Sequence, residues 1–120
     1  MRIVRRGPRL VLVVLVALLA AGSLHGCGDG DPAQTVEVVV PAGTQDRLDA
    51  GEAVAVMPAR IDLQVGDTLR IRNEDDADQT VGPYFVAAGA EIALTYSVPG
   101  RYEGYCSLSE GERYEIVVEG

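Results

Sequence analysis

From Thr35 onward, apolar and polar residues alternate in short runs that are separated by turn residues. Thr35–Val40 places Val36, Val38 and Val40 on one face. Residues 60–65 place Ile61, Leu63 and Val65 on one face, and 68–73 turn Leu69 and Ile71 inward with Arg70 and Arg72 outward. A period of two over four to eight residues is the signature of a half-buried strand. Residues 91–98, 101–106 and 113–119 read the same way, and 53–57 reads as a short strand stopped by Pro58. Segment 80–86 is extended but broken by Pro83, which keeps it off a central position. Residues 43–52 and the acidic run 74–79 read as loops. Tight turns are expected at Gly66-Asp67 and Pro99-Gly100. No stretch after residue 35 sustains a helical period. Several short strands with turns every 8–12 residues predict an all-β, antiparallel sandwich over 35–120. Its expected core includes Ile61, Leu63, Leu69, Ile71, Leu94, Ile116 and Val118.

The N-terminus follows a different pattern. Arg2, Arg5, Arg6 and Arg9 precede the unbroken apolar run from Leu10 to Ala21. That run is shorter than the roughly 20 residues a membrane-spanning helix needs. Basic region, short apolar region and small-residue site, in that order, make a secretory signal. Leu24-His25-Gly26-Cys27 resembles the bacterial lipobox, although His25 stands where a small or apolar residue is usual. The expected organisation is a signal peptide over 1–26, then lipidated Cys27 and a Gly-, Asp- and Pro-rich tether over 27–34, then the sandwich domain. An ordinary cleaved signal with an incidental cysteine is the competing reading. The acyl chains would hold the domain on the extracytoplasmic face of the cell membrane. Arg5-Arg6 leaves Sec and twin-arginine export both open.

Charge and composition narrow the chemistry. All 18 acidic residues lie after Cys27 with only six arginines, a net charge of −12. That argues against nucleic acid and against adsorption on an anionic lipid surface. Lysine is absent, and the single histidine, His25, leaves with the signal. The remainder therefore has no Ser-His-Asp or Cys-His catalysis and no histidine-ligated metal site, and no enzyme activity is expected. With Cys27 lipidated, Cys106 has no intramolecular partner.

Two segments carry a family resemblance. Residues 65–86, VGDTLRIRNEDDADQTVGPYFV, and 98–118, VPGRYEGYCSLSEGERYEIVV, resemble the plastocyanin-like cupredoxins. Gly66, Asp67, Thr68, Asn73, Asp75, Pro99, Gly100, Tyr102 and Cys106 fall in register with the family pattern. The resemblance implies a Greek-key sandwich whose loops after Asn73 and after Cys106 meet at one end, where family members hold copper. The ligand positions do not carry over. Gln79 and Ser109 stand where the histidines are expected, no methionine lies in the last loop, and Cys106 alone remains. A blue-copper centre needs two imidazoles, a thiolate and a weak axial ligand.

Each remaining feature has two readings. Cys106 is a buried apolar residue, or else a functional thiol, either reactive or the main ligand of a copper site in which Met57 joins it. The acids Glu74, Asp75, Asp76 and Asp78 form a solvated charge run or a Ca²⁺ loop. Tyr102 reads as a corner tyrosine with its hydroxyl on the backbone. The leading expectation is a lipid-anchored binding module without metal cofactor, facing an envelope protein partner. The alternative is a copper-binding or electron-transfer protein using Cys106.

Overall fold

The structure is a computed structural model and describes residues 31–120. Cys27 and the signal segment lie outside the described residues. Among the described residues eight strands follow one another: β1 Thr35–Val40, β2 Arg60–Gln64, β3 Thr68–Asn73, β4 Gln79–Val81, β5 Tyr84–Val86, β6 Glu91–Thr95, β7 Gly100–Tyr105 and β8 Arg113–Glu119. A short helix, α1, spans Thr44–Asp49, and one 3₁₀ turn spans Glu110–Glu112.

The strands form two three-stranded sheets, β1-β3-β6 and β2-β8-β7, and a β4–β5 hairpin. Their inward positions meet in one core. Val38, Val40, Leu69 and Ile71 come from the first sheet, and Ile61, Leu63, Tyr114, Ile116 and Val118 come from the second. Burying each such side chain contributes about 1.5–3 kcal/mol, and only face-to-face sheets bury both sets at once. The all-β sandwich expectation holds. Strands β1, β2 and β3 alternate between the sheets, so the neighbour pairs β1–β3, β3–β6 and β2–β8 are not consecutive in sequence, as in Greek-key sandwiches.

The antiparallel expectation covers three of the pairings: β3–β6, β7–β8 and β4–β5. Strands β1 and β3 run parallel, as do β2 and β8, so both sheets are mixed. Alternation in a sequence assigns faces, and direction is set by the long crossovers that parallel neighbours require.

Several local expectations change. Residues 43–52 contain α1, which is too short to display a period. Residues 53–57 form no strand. They lie along the loop after Cys106, with the Val56 and Met57 amides donating to the Leu108 carbonyl at 2.8 and 2.9 Å. Val65 is exposed, because it sits in the β2–β3 turn. Leu94 is half-buried, because β6 is an edge strand. The Tyr102 ring packs edge to face on Tyr96, with centroids 5.8 Å apart, and is partly exposed. The tyrosine hydrogen bond joins Tyr84 and Tyr96 instead, half-buried, with their hydroxyls 2.7 Å apart. Burial first, then this bond, pushes the Tyr96 hydroxyl above its ordinary range.

The Gly-Asp-Thr segment works as a clamp. Gly66 has φ 99° in the β2–β3 turn, a left-handed value that suits glycine. Next to it, buried Asp67 accepts hydrogen bonds from the Gln34 and Gln64 amides at 3.0 and 2.8 Å. These bonds, against the opposing effect of burial, hold its carboxyl below the ordinary aspartate range.

Candidate functional site

The end of β3, the β3–β4 loop, α1, the start of β4 and the loop after Cys106 supply buried polar side chains, and the β4–β5 turn adds a backbone amide. Asn73 ends β3 and is buried. Its side-chain amide donates to the carbonyls of Ala77, Val86 and Ala87, and its Oδ1 accepts from the Asp75 amide at 3.0 Å. The loop is thereby folded back, and the Asp75 carboxylate is carried inward to 2% exposure.

Four donors converge on that carboxylate. Oδ1 accepts from the backbone amides of Gly43 and Asp76, both at 3.0 Å. Oδ2 accepts from the Gln45 amide at 2.8 Å and from Gln79 Nε2 at 3.0 Å. Gly43 and Gln45 belong to the first turn of α1, whose amides have no partner within the helix. Asp75 supplies the cap from across the molecule, where Gly43 itself has no side chain to do so. Burial presses the Asp75 pKa upward, and the hydrogen bonds from Gln45, Gln79, Gly43 and Asp76 together outweigh it, leaving the carboxyl below its ordinary range. Asp75 is thus part of the interior, unlike the solvated run expected for 74–79. Glu74, by contrast, is exposed and pairs with Arg72 at 3.1 Å.

Gln79 opens β4 and is buried. Its Nε2 also donates to Gln45 Oε1 at 3.2 Å, so its amide nitrogen is turned toward α1 and Asp75. Cys106 is 3% exposed, and its Sγ accepts from the Gly82 amide at 3.3 Å. Gly82 opens the two-residue turn between β4 and β5 with φ 57°. A Cβ there would lie 3.1 Å from Met57 Cε and 3.2 Å from Met57 Sδ. Both sulfur side chains therefore pack against this one glycine. Ser109 is buried as well, and its Oγ donates to the Met57 carbonyl at 3.1 Å.

The three expected ligand positions are all buried, and the structure ties each to a different partner. Gln79 serves Asp75 and α1, Cys106 serves the β4–β5 turn, and Ser109 serves the 53–57 segment. Among the described residues, every buried side-chain nitrogen and oxygen has a hydrogen-bond partner. No group of three or more His, Cys, Asp or Glu is placed to hold a metal ion among them. One thiolate, one amide and one hydroxyl do not supply the donor set of a type 1 copper centre, which requires two imidazoles. The residues present do not fit that group.

Gln45 and Gly82 are neighbours of these positions that the sequence did not single out, and Asp75 was marked there only by its register and as one of the loop acids. Nothing in the sequence marked Gln45, whose role depends on α1 reaching the β3–β4 loop.

No protein-family model matches the chain, and no curated protein matches it. Among solved structures, it is similar to amicyanin from Paracoccus versutus, 16% identical with a TM-score of 0.45, covering 76% of this chain and 87% of that one. It is also similar to a purple cupredoxin from Nitrosopumilus maritimus, 20% identical with a TM-score of 0.42, covering 73% of this chain and 100% of that one. The sandwich assignment stands on the strand order and the shared core, not on these scores.

Proposed function

We propose that the chain is a lipid-anchored, extracytoplasmic binding module with a cupredoxin-like sandwich, in which protein hydrogen bonds have replaced the copper centre. It is non-catalytic and presents its surface to an envelope protein partner. The observation that carries this reading is the Asp75 carboxylate. It is buried and takes four hydrogen bonds, one of them from Gln79, the residue at an expected histidine position. An amide so engaged is a structural group. Among the described residues, no pair joins a nucleophile to a matched base near neutral pH. Among the described residues no helix is long and apolar enough to cross a membrane. Attachment in this reading comes from Cys27.

The packing of Met57 and Cys106 on Gly82 favours a second reading, carriage of a soft ion by the two sulfurs. Thermal unfolding with and without copper separates the two. A ligand bound only by the folded chain raises its stability by RT ln(1 + [L]/Kd). We expect Cu(I) and Cu(II) to leave the melting temperature unchanged. A rise that disappears in Cys106→Ser would establish the copper reading.

A further inference from the structure

Among the described residues, strand β7 is the outermost of its sheet, with β8 on one side and no strand on the other. None of its residues is buried, whereas alternate residues of β8 are. Pairing with Tyr114, Ile116 and Val118 sets Gly104, Tyr102 and Gly100 as the inward positions of β7. Two of these are glycines, so Tyr102 is the one inward side chain, and it is 41% exposed. It borders a shallow cleft of about 240 Å³ that Leu94, Tyr96 and the exposed Val98 also line. A bare edge with unpaired amides and carbonyls is a template for another strand, and charged residues normally protect it.

The charges on this edge are ordered so that they permit one particular pairing. Residues 100–104 read Gly-Arg-Tyr-Glu-Gly, with opposite charges placed symmetrically about Tyr102. A second copy laid antiparallel about Tyr102 sets Arg101 opposite Glu103 and Glu103 opposite Arg101, with glycine opposite glycine at both ends. Centring the pair on Arg101 or Glu103 instead sets like charge on like charge, and so does an in-register parallel pairing. We propose that two copies of this chain associate through β7, edge to edge and antiparallel about Tyr102. The result is a closed two-fold contact in which the same patch serves both copies. The net charge of −12 carried after Cys27 opposes approach, but at physiological salt it is screened beyond about 8 Å, while the facing Arg–Glu pairs act within that range.

Disulfide trapping tests the proposal on the full chain in membranes. Tyr102→Cys, under mild oxidation, should give a covalent dimer well above the parent chain and above Glu37→Cys, a control on exposed edge strand β1. Arg101→Glu in the Tyr102→Cys background should cut trapping by about tenfold, because two cross-strand pairs become repulsive at once. Adding Glu103→Arg should restore it. Arg101→Glu also removes the 3.4 Å contact with Glu115, and Glu103→Arg, directly opposite Glu115 on β8, can rebuild that ion pair within one chain. Recovery is therefore also read between chains. Arg101→Glu and Glu103→Arg chains, both carrying Tyr102→Cys and each repelling its own kind, should trap as a mixed dimer when co-expressed. Trapping no higher than the Glu37→Cys control would overturn the proposal, as would a swap that stays low while its circular dichroism matches the parent. Should Tyr102→Cys itself unfold, sedimentation of the two charge variants in detergent decides. Loss of the dimer in the single variant and its return in the swap support the proposal, and masses independent of either charge overturn it.

Discussion

At the scale of single residues, two buried carboxylates hold the loops together. Asp67 and Asp75 each bind a proton more weakly in the folded chain than in the unfolded one, since backbone amides donate to the charged form. Unfolding in acid therefore takes up protons. The stability they supply is fully present above the ordinary aspartate pKa of about 3.9 and is lost as the pH falls through the lower folded values. Thermal melts across that range should show the midpoint dropping below pH 4, with Asp75→Asn flattening the drop and lowering the midpoint at neutral pH. An unchanged acid limb in Asp75→Asn would deny Asp75 its role. Cys106 gives a second residue-scale expectation. Its sulfur is buried against Gly82, so a thiol reagent should label it only on unfolding, and rapid labelling of the native chain would contradict that position.

At the scale of elements, the β4–β5 turn couples the thiol, Met57 and the aromatic core. Gly82→Ala would impose a left-handed strain and push a methyl into Met57, costing about 1–3 kcal/mol in denaturant unfolding. Leu69→Ala, at the fully buried centre of β3, should cost about 2–5 kcal/mol. A smaller loss at Leu69 than at half-buried Leu94→Ala would mean the inward face of β3 is misassigned. Strands such as β3 and β8 were legible in the sequence because each has one wet and one dry face, and alternation records that directly. Strand β7 showed a strand pattern as well, but nothing in the sequence said that it would be an edge. Helix α1 was not legible, since six residues carry no period and its cap comes from Asp75, 32 positions from Gly43. The same distance hid the site. Gln79, Cys106 and Ser109 could be placed by register, whereas their partners are set by how α1 and residues 53–57 fold over them.

At the scale of the whole molecule, the proposed lipid anchor would carry a folded domain whose expected copper-ligand positions are tied up in its own hydrogen bonds. Cys27→Ser should release the chain from membranes into the soluble fraction. Pelleting that survives high-salt washing would remove lipidation from the account. Gln79→His with Ser109→His should bring two imidazoles toward Cys106 and confer Cu(II) binding, at the expense of the contacts from Gln79 to Asp75 and from Ser109 to Met57. The most direct measurement is the visible absorption spectrum of the parent chain titrated with Cu(II). The account predicts a colourless protein with no thiolate charge-transfer band at any ratio. An intense blue or purple band that saturates at one equivalent and is lost in Cys106→Ser would contradict it.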